Sequence, residues 1–260
     1  MPLHMEDFQR DQLQGYVETL APKKEYKLAR FMPVDTVYDT EFTINIINGK
    51  YGQMASVTAW DSGAPLRDKD VLEKMTAELG KVQHGYRLTE KEMLQYNRPR
   101  TDAERAKVVD SIYGETDKLI WGVDDREEWF RAQAIYKGTL TYEENNVKLA
   151  NIDFKIPAGN KLTASILWDV ANAKPLADLQ TAVKQFENAN NGESPIVMHF
   201  DGAVEAMLLK DATVKENVYG SSTTSKIVKG EDLQNLFSAL SLPPYEVIKD
   251  TVIGDAGVES

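Results

Sequence analysis

The stretch TDAERAKVVDSIYGETDKLIWGVDDREEWFRAQAIYKG, residues 101–138, decides the fold. Thr101, with Glu104 three residues later, reads as a capping box, and Pro99 just upstream discourages an earlier start. Gly138 after Lys137 supplies a C-terminal stop. Between these signals Val109, Ile112, Thr116, Ile120, Val123, Phe130 and Ala134 recur every three or four residues, broken only at Glu127. That spacing is one face of a helix. Unbroken over 101–137, such a helix would run roughly 55 Å at 1.5 Å per residue, about three times an ordinary globular helix. Gly114 and Gly122 lie inside it, each costing about 1 kcal/mol relative to alanine. They are the candidate hinge of a spine that suits a component of something larger better than a catalytic core.

Working outward toward the N-terminus, LTEKE at 88–92 opens a short helix with Thr89 as N-cap and Glu92 at the third position. Val71 to Leu79 is mixed. Phe42, Ile44 and Ile46 alternate with polar residues as in a half-buried strand, and Asn48-Gly49 is a strong hairpin signal. The return from Tyr51 to Trp60 places Ala55, Val57 and Ala59 on one face, before the turn DSGAP and the charged LRDKD. A lone two-stranded ribbon is marginal in water, so this segment needs a surface to lie on. Phe8, Leu13, Tyr16, Val17 and Leu20 form an amphipathic helix ended by Pro22. It either docks on its own domain or serves as an arm on a neighbouring subunit.

Beyond Gly138 the spacing predicts strands over 139–142 and 147–156 and a third over 161–168. A helix starts at Pro175 with Leu176, Leu179, Val183 and Phe186 on one face. A buried strand at 195–200, a helix from Asp201 through Leu209, a polar loop at 219–226, a helix over 229–240 and a strand at 245–248 complete the pattern. The final GDAGVES carries no anchor. Helices and antiparallel strands in separate runs make the class α+β.

The chain of 260 residues can bury a real core, and 42% hydrophobic residues exclude a disordered chain. With 30 basic against 41 acidic residues, the net charge of −11 argues against a basic polyanion-binding surface, though not against enclosing nucleic acid. The absence of cysteine excludes disulfides, thiol catalysis and zinc–thiolate sites. No apolar run approaches the roughly 20 residues of a membrane span, and the polar, acidic start is unlike a secretory signal; a cytoplasmic protein is the expectation.

The search for chemistry is nearly empty. There is no phosphate loop and no nucleophile elbow. His4, His84 and His199 are far apart in sequence, and His199 reads as a core or edge histidine. Asp124, Asp125, Glu127 and Glu128 read as a solvated face paired with Arg126 and Arg131, with a hard cation in an assembled particle as the alternative. Trp60, Trp121, Trp129 and Trp168 are either core residues or anchors at subunit contacts. No catalytic, cofactor-binding or metal-ligating residues are assigned.

The ordered series FTINIINGKYGQMASVTAW, DSGAPLRDKDVLEKMTAEL, LTEKEMLQYN, the spine from Thr101, LTYEENNVKLANIDFKIP, PLADLQTAVKQFEN and SPIVMHFDGAVEAMLL resembles tailed-phage major capsid proteins of the Hong Kong 97-type fold. It is most similar to the major capsid protein E branch, named for the lambda coat protein. The resemblance implies an N-terminal arm over 1–40 and an extended β-hairpin loop over 41–75 that lies on an adjacent subunit. It implies a peripheral domain over 76–195 around the spine, and an axial domain over 196–260. Family members usually continue further, so that axial domain is expected to be incomplete or to return its strands differently. Asn48, Gly49, Tyr51, Trp60, Arg67 and Trp129 become candidate subunit-contact residues. The implied function is an icosahedral head shell of pentamers and hexamers enclosing double-stranded DNA without reading its sequence. Implied partners are a separate scaffolding protein, a portal and a decoration protein, with assembly in the host cytoplasm of a phage or prophage and no membrane. Two other readings stay open: the shell of a cellular nanocompartment of the same fold, and a metal-dependent hydrolase using carboxylates such as Asp124 and Glu128.

Overall fold

The spine forms as its end signals direct. In the computed structural model the helices are α1 Arg10–Thr19, α2 Glu90–Asn97, α3 Asp102–Ala132, α4 Pro175–Ala189, α5 Gly202–Lys210, α6 Ala212–Tyr219 and α7 Gly230–Ala239. The strands are β1 Glu41–Ile47, β2 Leu72–Glu78, β3 Thr139–Glu144, β4 Val147–Asp153, β5 Met198–Asp201, β6 Tyr245–Ile248, β7 Val252–Gly254 and β8 Gly257–Glu259. The structure describes residues 10–36, 38, 41–47, 72–78, 82–83, 85, 87–99, 101–144, 147–170, 172–254 and 257–259. The expected hairpin at Asn48-Gly49 and its return over 51–60 lie outside them, as do His4 and His84.

The Thr101 hydroxyl accepts from the Glu104 amide at 3.2 Å, and α3 runs 31 residues. It does not end as a plain α-helix. Gln133–Lys137 widen into a π turn, closed by Gly138 in the left-handed region at φ 68°. Only a residue without a Cβ adopts that conformation without strain. α2 carries the full capping box: the Thr89 hydroxyl accepts from the Glu92 amide, and the Glu92 carboxylate accepts from the Thr89 amide at 2.7 Å.

The described residues divide into two compact units, one drawn from Met1–Phe42, Thr76–Phe154 and Gly254–Ala256, the other from Thr43–Met75, Lys155–Ile253 and Gly257–Ser260. In the first, α2 packs on α3, with the Arg105 guanidinium 5.1 Å from the Tyr96 ring centre. β3 and β4 form an antiparallel pair, Thr139 opposite Asp153 and Glu144 opposite Val147, with an irregularity between Leu140 and Tyr142. The core here is thin. Its buried hydrophobics among the described residues are Leu28, Tyr96, Ile112 and Ala134. Most of the apolar stripe of α3 is only half-buried.

The second unit holds the larger core. Leu176, Leu179 and Val183 of α4 meet Phe200, Leu208, Val214, Leu233, Phe237 and Tyr245. Phe237, Leu208 and Leu233 are fully buried, each contributing about 1.5–3 kcal/mol of transfer free energy. The apolar face of α4 ends at Val183, and Phe186 is exposed.

Several expectations are corrected. β5 and β6 are parallel, Met198 opposite Tyr245, so one crossover through α5, α6 and α7 interrupts the expected antiparallel pattern. Residues 161–168 form no strand; Trp168 Nε1 instead donates to Asp178 Oδ2 of α4 at 2.9 Å. The mixed run near 72–78 is a strand paired with β1. α6 follows α5 directly, because Asp211 accepts from the amides of Thr213 and Val214 and starts a new helix. At the C-terminal end, among the described residues, β7 pairs only with β8, a short ribbon local to the tail.

Candidate functional site

The most developed polar constellation of the first unit is a seat on α3 that holds the N-terminal segment. Tyr113, Asp117, Trp121, Asp125, Glu128 and Arg131 follow one another at three or four residues. They form a second stripe, about one residue out of phase with the apolar one. Each meets the segment running from α1 to Met32. The Tyr16 ring lies 4.6 Å from Tyr113, and its hydroxyl donates to Asp117 Oδ1 at 2.6 Å. Trp121 Nε1 donates to the Ala21 carbonyl at 3.3 Å. Asp125 accepts from the Tyr26 hydroxyl at 3.0 Å and pairs with Lys24 at 3.5 Å.

Glu128 is the centre of this seat. It is 5% exposed, and one oxygen accepts from the Leu28 amide at 2.9 Å while Leu28 itself is 3% exposed. The other oxygen accepts from Arg131 at 3.3 Å. Arg131 also donates to Glu127 Oε2 at 3.1 Å and to the Met32 carbonyl at 3.1 Å. A buried carboxylate is tolerable only when both oxygens are used in this way. Residues 27–30 form a single 3-10 turn, which aims the Leu28 amide at the helix.

The electrostatics follow from this crowding. Burial, then the bond to Asp125, raises the Tyr26 hydroxyl well above its ordinary value. The bond to Asp117, then burial, raises that of Tyr16. Burial and the neighbouring Glu127 and Asp125 charges raise the Asp124 carboxyl, against an opposing pull from Arg131.

The solvated-face reading of the acidic cluster is corrected at Glu128, which is buried, and at Asp125, both bonded to the N-terminal segment, while the expected pairing of Arg131 with the cluster is present at Glu127 and Glu128. Among the described residues no group of three or more His, Asp or Glu is placed to hold a metal ion. His199 sits on β5 opposite Glu246. Trp129 is half-buried within its own chain, edge-on to Phe130 at 5.5 Å and Tyr142 at 6.4 Å, with Arg126 over both Trp129 and Tyr142 at 5.1 Å. Asn48, Gly49, Tyr51, Trp60 and Arg67 lie outside the described residues. A Cβ at Gly114 would meet nothing within 4 Å, and the Thr116 hydroxyl donates to the Ile112 carbonyl at 3.0 Å across that glycine. Hydroxyl back-bonding of this kind bends helices slightly. The helix docks in-chain, one of the two readings of its sequence. Its receiving stripe escapes a search for apolar periodicity because it is polar, although its spacing is helical.

The chain finds no match among curated proteins. A family model described as phage major capsid protein E matches residues 9–244. The chain belongs to that family. Membership in the phage major capsid protein E family makes it a structural protein of the virion, one that assembles with copies of itself. The match spans the arm seat, the spine and nearly all of the second unit. No described helix is long and apolar enough to cross a membrane.

Proposed function

We propose that this capsid protein builds the icosahedral head shell, on the Hong Kong 97-type fold, that encloses packaged double-stranded DNA of a tailed phage or prophage. The observation that carries the reading is the imbalance between the units. The first unit presents a 31-residue helix on which only Ile112 and Glu128 are buried. An amphipathic face half-covered in one copy is completed when copies meet. In this reading the segment before residue 40 is the arm, and 41–75 is the loop that lies on an adjacent subunit. The spine belongs to the peripheral domain, and the axial domain from about 196 meets the five-fold and six-fold axes. Asn48, Gly49, Tyr51, Trp60, Arg67 and Trp129 make the subunit contacts, and Gly114 and Gly122 bend the spine as the shell changes shape.

The chain performs no catalysis in this role. Its net charge of −11 repels the DNA it encloses, so the polymer packs without adhering to the wall. A separate scaffolding protein directs assembly in the host cytoplasm, a portal occupies one vertex, and a decoration protein binds outside. The test is electron microscopy of the chain co-expressed with the scaffolding protein of the same phage. Closed hollow particles are expected. Monomers alone, under every condition of salt and concentration, refute the reading.

A further inference from the structure

Two one-residue irregularities meet where α3 hands over to the β3–β4 hairpin. The first is the π turn Gln133–Lys137. Its entry is marked by a shared bond: the Gln133 amide donates to the carbonyls of both Trp129 and Phe130. Its exit returns to α spacing, with the Gly138 amide donating to the Ala134 carbonyl at 3.1 Å. A π turn on an α-helix holds one residue more than the α path needs, and such turns cluster at functional sites. The second irregularity lies in the ladder. From Leu140 to Tyr142 β3 advances two residues, while the partners run from Ile152 to Leu149, three residues of β4. One surplus residue therefore sits on β4, and a bulge of this kind re-aims the side chains beside it.

Tyr142 is the side chain beside that bulge. It folds back across the π turn onto the last turns of α3. Its ring centre lies 6.4 Å from that of Trp129 and 6.2 Å from that of Phe130, both edge-on. The Arg126 guanidinium stands 5.1 Å from the Tyr142 ring centre and 5.1 Å from that of Trp129. A residue after the π turn is thus tied to three residues before it. This clamp fixes how far the chain advances between Phe130 and Tyr142, and hence where the surplus residue resides. The other strand of the hairpin is pinned to the end of the turn, since the Phe154 amide donates to the Gly138 carbonyl at 3.0 Å. The hairpin therefore moves as one piece with Gly138.

We propose that this junction is a slip hinge. When the turn tightens to α spacing, its surplus residue passes toward β3, and the β3–β4 hairpin turns and shifts on the spine. One residue of α-helix corresponds to about 1.5 Å of rise and roughly 100° of rotation. The stack of Tyr142, Arg126 and Trp129 holds the wide form. The amides of the turn exchange one set of carbonyl partners for another, so neither form leaves them unbonded. The hinge rests on the shell reading for its use: pentamers and hexamers place one chain in unequal surroundings, and a hairpin with two settings fits both. It differs from a glycine hinge, which bends α3 without changing its register.

Hydrogen exchange on the full chain reads the slip, because amides that change partners exchange at each passage. Wild-type amides at 133–138 should exchange about tenfold faster than those at 120–128, and equal rates overturn the proposal. Deleting Lys137, an exposed residue, removes the surplus and should bring 133–138 to the rate of 120–128. Unchanged or faster exchange there, in a deleted chain with wild-type helix content, means simple fraying and overturns the proposal. Arg126→Gln keeps the stem, removes the cation from both rings and should speed exchange at 133–138 about tenfold, with 105–120 and the second unit unchanged. Where the deleted chain does not fold, Arg126→Gln decides: unchanged exchange, or a rise spread over the whole chain, overturns the proposal. With the scaffolding protein co-expressed, deletion of Lys137 should lower the yield of closed particles. Wild-type yield from the deleted chain overturns the proposal and leaves the shell reading standing. A wild-type chain that forms no particles overturns the shell reading, and the exchange pattern still decides the hinge.

Discussion

Truncating Glu128 measures what the arm seat is worth. In Glu128→Ala the Leu28 amide keeps its burial but loses its acceptor, and Arg131 keeps Glu127 and the Met32 carbonyl. A hydrogen bond to a charged group contributes about 1.5–3 kcal/mol, and a donor left buried without a partner costs an amount of that order. The loss falls on the docking of residues 24–32, because the second unit contains none of these groups. A loss of 1.5–3 kcal/mol raises the population of the undocked arm roughly ten- to hundred-fold. The arm carries its own reporter, since Lys23, Lys24, Lys27 and Arg30 are tryptic sites. Under conditions where opening is fast relative to cleavage, the cleavage rate follows that population. Limited trypsinolysis read by mass spectrometry should show cuts at Lys27 and Arg30 faster by that factor. Glu128→Gln, which keeps an acceptor for Leu28 without the charge, should fall between. Tyr26→Phe, which removes one bond to Asp125, should cost about 1 kcal/mol, or roughly five-fold. Cleavage in Glu128→Ala at the wild-type rate, with helix content intact, would refute the argument that this carboxylate holds the arm.

Gly114→Ala adds a methyl into open space inside α3 and should stabilise the first unit by about 0.5–1 kcal/mol, seen as a higher urea midpoint. If the spine bends there, particles carrying Gly114→Ala with Gly122→Ala expand more slowly than wild-type particles, while normal expansion removes the hinge assignment. Tyr245 is buried, with its hydroxyl 3.3 Å from Glu205 Oε1, and burial and that carboxylate push its pKa up to about 12. The folded value lies above the free tyrosine value of about 10, so the neutral hydroxyl contributes fully below pH 10 and its contribution is lost as pH rises through 12. The stability gap between wild type and Tyr245→Phe should therefore be constant to about pH 10 and shrink above it, measured by urea unfolding.

What the sequence makes legible is local. Thr89, Thr101 and Gly138 mark helix ends through bonds to residues three or four positions away, and the chain obeys them. Pro175 starts α4 for the same reason, since a first-turn residue needs no amide donor. The failures are of another kind. The apolar run at 161–168 satisfies strand propensity, but a strand needs a partner edge. Trp168 finds Asp178 on α4 before the segment finds one. The short α6 carries Val214 and Val218 among charged residues, too few turns for a periodicity to register, although Asp211 marks its start.

The arm seat shows most sharply why function is harder to read than fold. Solvated helix faces and polar docking faces share a composition, because both are rich in Asp, Glu and Arg. What separates them is a partner that comes from far along the chain: Leu28 meets Glu128, and Tyr16 meets Asp117. Yet the stripe Tyr113, Asp117, Trp121, Asp125, Glu128, Arg131 keeps helical spacing over five turns, with two aromatics whose rings a merely solvated face has no reason to carry. Hydrogen-bonding side chains that hold helical phase and include aromatics belong to a face that another segment covers. A polar cover of this sort differs from a core in one respect. Each of its bonds can be exchanged for water at a net cost of about 1–3 kcal/mol, whereas truncating Phe237 would open a cavity costing about 3–5 kcal/mol. The first unit thus holds its leading segment by interactions that can be undone singly, while the second holds its helices by ones that cannot.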